Sequence, residues 1–151
     1  MNRKEKIAWL SRASEMERRI RICTERIRRQ RELAEGAKPQ DFTKTIGGHG
    51  STPSSRLEIH TIEAIDLEEK RARMMDEYRA IEAEVSGAID SLNDIQSEEV
   101  LSYRYLSGKD WKDVADTLGI SLTYTFHLHS RALDLLRIPD STAPFVISAA
   151  V

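Results

Sequence analysis

Residues 111–133 read WKDVADTLGISLTYTFHLHSRAL, and their spacing predicts two helices joined by a tight turn. In the first, beginning at Trp111, Val114 and Leu118 fall on one face, with Ala115 where a crossing helix needs a small side chain. Gly119 supplies the left-handed backbone that stops a helix within one residue. Ile120 plugs the corner, and Ser121 is a natural N-cap for the next helix. There Thr125, Leu128, Ala132 and either Leu135 or Leu136 recur at helical spacing and are expected to point inward. An ordinary helical hairpin carries the same pattern, so what the second helix presents outward sets the function.

The segment in front, SEEVLSYRYL at 97–106, predicts a third, shorter helix. Ser97 followed by Glu98 and Glu99 gives a cap and acids favoured by the helix dipole. Val100, Leu101, Tyr103 or Tyr105, and Leu106 would cover the back of the pair. Gly108 ends this helix and Asp110 caps the one starting at Trp111. Residues 97–137 therefore read as a three-helix unit.

Two long segments precede it. Ala13, Met16, Ile20, Cys23, Ile27, Gln30 and Ala34 alternate at spacings of three and four, with Ile7, Trp9 and Leu10 near the start. Leu67, Met74, Tyr78, Ile81, Val85, Ala88, Leu92 and Ile95 follow the same rhythm, the mark of a narrow coiled-coil seam. Residues 1–36 carry 11 Lys or Arg against 6 acids, whereas residues 58–99 carry 4 against 13. An antiparallel pair covers both seams and brings opposite charges alongside them. Exposed ion pairs contribute only ~0–1 kcal/mol each, so the seam would supply stability and the charge would select partner and orientation. The linker 37–56, with two prolines and three glycines, reads as a loop; Ser54 and Ser55 are candidate caps for the second helix. Its GGHG, at 47–50, lacks the strand and Lys-Ser/Thr pair of a phosphate loop. The expected architecture is all-α: a long antiparallel coiled-coil hairpin over 1–95 (helices about 3–36 and 57–95), a helix-turn-helix unit over 97–137, and a tail over 138–151 that ends in apolar FVISAAV.

Composition narrows the function classes. No run approaches the roughly 18 apolar residues of a membrane span, and MNRKEKIAWLSR is amphipathic where a signal peptide would be apolar. A single cysteine, Cys23, fits a reducing, cytoplasmic setting. His127 and His129 lie two apart on a helix and cannot clasp one metal together; His49 and His60 lack companions at ligand spacing. No nucleophile-bearing turn or carboxylate dyad is recognisable, so neither an enzyme nor a cofactor is expected.

The stretch RYLSGKDWKDVADTLGIS followed by LHSRALDLL resembles region 4 of bacterial sigma factors. The layout of about residues 5–136 resembles small phage and prophage late-transcription regulators of the RinA/ArpU kind, in which a helical hairpin precedes a sigma-like helix-turn-helix. The likeness rests on Arg104-Tyr105-Leu106, Trp111, Ala115, Ser121 and Leu128-His129 through Ala132-Leu133; Thr125 stands where a buried Val is usual, and His127 where a basic residue is common. It implies a sequence-specific DNA-binding transcriptional regulator whose second helix enters the major groove. Helix geometry then leaves Leu122, Thr123, Tyr124, Phe126, His127, Ser130 and Arg131 on the outer and flanking faces, with Phe126 expected at the interface with the third helix or a partner. Thr123 and Tyr124 could reach base edges or phosphates, Leu122 a thymine methyl, and Ser121 a phosphate through its backbone. Lys109, Lys112, His127 and Arg131 are candidate phosphate contacts.

Residues 100–137 hold only five Lys or Arg against four acids, a thin footprint for a solitary DNA binder. Double-stranded DNA is therefore the expected partner of a homodimer or higher oligomer joined through the long helices, or of a chain that also leans on RNA polymerase. The DNA-recognition subunit of a phage packaging complex, and a coiled-coil adaptor that binds protein without DNA, are the alternatives.

Overall fold

The computed structural model describes residues 1–36 and 53–140, and every regular element among them is a helix. The GGHG segment with His49, and the apolar FVISAAV, lie outside the described residues. Among the described residues no helix is long and apolar enough to cross a membrane. The helices are α1 (Arg3–Leu10), α2 (Arg12–Gly36), α3 (Pro53–Asp90), α4 (Ile95–Leu101), α5 (Trp111–Leu118) and α6 (Leu122–Leu135), with a π-helical segment, Ser102–Leu106, continuing α4.

Several boundaries differ from the sequence expectation for local reasons. The single helix over 3–36 is broken at Ser11. There the Ser11 hydroxyl donates to Ile7 O at 2.8 Å, Arg12 Nε to Trp9 O at 3.1 Å and Ser14 Oγ to Ser11 O at 3.0 Å. Side chains that compete for helix carbonyls bend or interrupt the ladder. The second long helix starts at Pro53, not at 57, so Ser54 and Ser55 lie inside it, past the N-cap position. Proline suits a first helical position because its missing N–H has no intrahelical partner there. That helix ends at Asp90 and does not continue to 95: Asn93 takes a left-handed φ of 53° and Asp94 becomes the N-cap of α4. Ile95, expected in the seam, is consequently 75% exposed. Ser97, expected as a cap, sits in the first turn, fully buried, and its hydroxyl donates to the Asp94 carboxylate.

The described chain divides into two compact units, one within residues 15–80 and one formed by residues 1–14 together with 81–140. The dividing lines thus fall within α2 and α3, not near residue 96. In the unit 15–80, α2 and the first part of α3 run in opposite senses. Gln30 meets His60, whose Nδ1 donates to Gln30 Oε1 at 2.7 Å, and further along the Cys23 thiol donates to Leu67 O at 3.3 Å. The seam is narrow: Met16, Cys23, Ile27, Ala34 and Ala64 are buried, while Leu67 and Met74 are half-buried. Arg31–Glu68, at 2.9 Å, is the single ion pair between the two helices among the described residues of this unit.

The other unit has a broader core. Trp9 and Leu10 of α1, Val85, Ala88 and Ile89 of α3, Leu92, Leu101, Tyr105, and Ala132, Leu133 and Leu136 in and just after α6 form one apolar cluster. Leu136 takes the inward position and Leu135 is exposed, which decides between the two alternatives. Polar contacts fix α1 on the end of α6. Arg3 donates to both carboxylate oxygens of Asp134, at 2.7 and 2.6 Å, and Lys6 Nζ donates to Leu133 O at 2.7 Å. A cation at the carbonyl end of a helix meets the negative end of its dipole.

Candidate nucleic-acid interface

The pair α5–α6 is built by local signals. Asp110 accepts the Asp113 N–H on its side chain at 2.8 Å and opens α5. Gly119 adopts φ 67° and ψ 34° and closes it. The Ile120 N–H returns to Ala115 O at 3.1 Å and the Gly119 N–H to Asp116 O at 3.2 Å. Those two bonds form a Schellman closure, which satisfies the last carbonyls of α5. Ser121 then accepts the Tyr124 N–H at 3.1 Å and starts α6 two residues after the glycine.

On α6, Thr125, Leu128 and Ala132 are buried, as their spacing predicts. The buried Thr125 leaves no unsatisfied group, because its hydroxyl donates to Ser121 O at 2.9 Å. A buried hydroxyl with a partner avoids the desolvation penalty of an orphan.

His129 is the buried residue that the sequence reading missed. The Tyr105 hydroxyl and His129 Nε2 share a hydrogen bond of 2.8 Å. The Trp111 ring meets the imidazole edge-on with centroids 4.5 Å apart and meets Phe126 at 5.3 Å; the Arg104 guanidinium lies 4.8 Å over Trp111. Burial first, then the positive charges of Arg104 and Arg3, push the His129 imidazole down to about 4, so it is neutral near pH 7. Burial also pushes the Tyr105 phenol up to about 12, against the opposing effect of Arg104. Position 129 lies four after Thr125 and three before Ala132, so the inward stripe itself held the signal. Tyr105 reaches it from the π-helical segment, where Ser107 N–H bonds Ser102 O at 3.0 Å and Arg104 Nη1 donates to Lys109 O at 2.9 Å.

The expected contact residues are distributed as follows. Ser121, Leu122, Thr123, Tyr124 and His127 are all exposed on the first two turns of α6, and Tyr124 stacks against His127 with centroids 6.1 Å apart. Lys112 is exposed on the first turn of α5. Lys109 is held, its Nζ donating to Thr117 Oγ1 at 3.1 Å while lying 5.4 Å over the Tyr103 ring. Arg131 is more than half exposed, but its Nε lies 3.7 Å from the Asp94 carboxylate, which restrains it toward the start of α4. The face therefore collects six of the eight candidates as open groups and two as tethered cations. Asp110, Asp113 and Asp116 are exposed at the N-cap and along α5, so the surface of that helix carries more acids than its one lysine offsets. Phe126, exposed beside Trp111, and Leu122 add apolar surface.

The chain matches no family model, no curated protein and no solved structure.

Proposed function

We propose that the protein is a sequence-specific DNA-binding transcriptional regulator of phage or prophage type, a coiled-coil helical hairpin carrying a sigma-like helix-turn-helix. The observation that supports it best is the turn itself. Gly119 in the left-handed region and the Ser121 cap hold α6 so that Ser121, Leu122, Thr123, Tyr124 and His127 stay open, while Thr125, Leu128 and Ala132 anchor the opposite face. In this reading Thr123 and Tyr124 meet base edges and Leu122 a thymine methyl. Lys112 and His127 meet phosphates, as do Lys109 and Arg131 once they exchange Thr117 and Asp94 for the backbone.

A second reading, a protein-binding adaptor, is favoured by the exposed Leu122, Tyr124 and Phe126 and by the acids of α5. In this reading the same face meets a protein such as RNA polymerase. Fluorescence anisotropy with labelled duplex at low salt separates the two. The regulator reading expects binding that weakens at least tenfold in the Lys112→Glu, Arg131→Glu double variant and falls steeply with salt. No binding by the parent chain, or equal binding by the variant, favours the adaptor. Selection of bound fragments from host and phage DNA would then name the site.

A further inference from the structure

The unit 15–80 leaves a second line of side chains uncovered on each of its helices. On α2 this line is Ile22, Arg26, Arg29 and Leu33, spaced four, three, four; on α3 it is Ile62, Asp66, Glu69 and Arg73, with the same spacing. Side chains at such intervals share a face. Each line is set back by one or two positions from the seam residues and so flanks the seam; Ile22 and Arg26 border an open groove with Lys70, Met74 and Glu77 of α3. All eight residues are exposed, with Ile22 at 62%, Ile62 at 52% and Leu33 at 42%. A shallow groove along α2 is lined by Ile22, Arg26 and Arg29 among others. Among the described residues, Arg26, Arg29, Asp66 and Glu69 form no ion pair within 4.0 Å.

Set antiparallel, the two lines are complementary. Leu33 falls opposite Ile62, Arg29 opposite Asp66 and Arg26 opposite Glu69, while Ile22 falls opposite the aliphatic stem of Arg73. One chain carries both halves on different helices. A second copy in the same orientation, related by a two-fold axis along the helices, therefore satisfies both at once: α2 of each copy lies on α3 of the other. We propose that this face is a homodimer interface that completes a four-helix bundle. Every neighbouring pair in that bundle is antiparallel and basic against acidic, which is the isologous, self-complementary form that two-fold dimers take. The two-helix seam, with few large buried side chains, gains a second apolar layer from it.

The pairing extends the expectation of self-association to particular residues and does not depend on the chain binding DNA. Sedimentation equilibrium of the full chain tests it, with circular dichroism as the check on folding. The parent is expected to be a dimer at about 10 µM, a typical working concentration for a modest interface. Arg26→Glu with Arg29→Glu, and separately Asp66→Arg with Glu69→Arg, should each weaken the dimer at least tenfold while keeping helical content. Mixed in equal amounts, the two variants should form a heterodimer, because both of its contact lines are again matched. A monomeric parent at 50 µM (about five times that level), a parent of three or more chains, variants that dimerise as the parent does, or a mixture that does not pair would each overturn it. A monomeric parent would leave the face to a different protein.

Discussion

Residues 15–80 and the unit that contains α4–α6 use the same helical material to different ends. The first buries chiefly small or slender side chains along one seam and leaves Ile22, Leu33, Ile59, Ile62 and Ile65 in solvent. The second gathers residues from α1, α3, the π-helical segment and α6 into one cluster, with Leu10, Val85, Ile89, Leu101 and Leu136 nearly or fully enclosed. Two helices in contact can each cover only one stripe, whereas a third and fourth helix enclose a side chain from all sides. The charge follows the same division. Within residues 15–80 the opposite signs on α2 and α3 yield one ion pair among the described residues, at Arg31–Glu68, while Arg3, Lys6 and Arg12 of the other unit each hold a defined partner at Asp134, Leu133 O and Glu84. The unit that contains α4–α6 has an enclosed core, and the two-helix unit keeps large apolar side chains on its surface.

The largest expected effect probes that contrast directly. Leu101→Ala removes a fully buried side chain from the compact core and should cost about 2–5 kcal/mol in urea unfolding. Ile62→Ala, on the open face, should cost under about 0.5 kcal/mol in the monomer, its effect appearing only in association. Equal losses at the two sites would break the comparison.

A smaller effect comes from His129. Its folded value of about 4 lies below the unfolded value near 6.5, so between these limits the unfolded chain takes up a proton that the folded chain refuses. Stability is therefore full above about pH 6.5 and declines as pH falls toward 4, by up to about 3 kcal/mol. His129→Gln, which retains a polar partner for Tyr105, should flatten that decline in chemical denaturation measured across this range. An unchanged slope would show that other groups cause it.

Gly119→Ala is the smallest. Nothing within 4 Å obstructs an added Cβ, so the cost is the left-handed backbone alone, about 1–2 kcal/mol. Thermal unfolding would report it, and a neutral result would mean that the turn relaxes without strain.

Much of this was legible one element at a time. Asp110, Gly119 and Ser121 act within a few residues of themselves, and each takes the capping or turning role that its type predicts. The inward stripe of α6 was readable at Thr125, Leu128 and Ala132, yet His129 was passed over because histidine is as common outside as inside. Its burial depends on Tyr105 arriving from 24 residues away. The break at Ser11 was visible only as two serines near an arginine, a pattern that most helices tolerate. Ile95 kept the seam's rhythm, but Asn93 and Asp94 had already turned the chain. Of the expected contact residues, sequence spacing anticipated the open face, but not that Arg131 would be drawn to Asp94 or Lys109 to Thr117.

Alone, the sequence determined that the described chain is helical, where α5 stops and α6 begins, and which side of α6 is apolar. These follow from backbone preferences and caps, whose range is a single turn. Tertiary structure decided that α1 and the end of α3 enclose α6, that an imidazole is buried beside Trp111, and that the long helices keep an uncovered face. Those outcomes depend on which distant surfaces meet, and residues far apart in the chain carry no local mark of the neighbours they will gain.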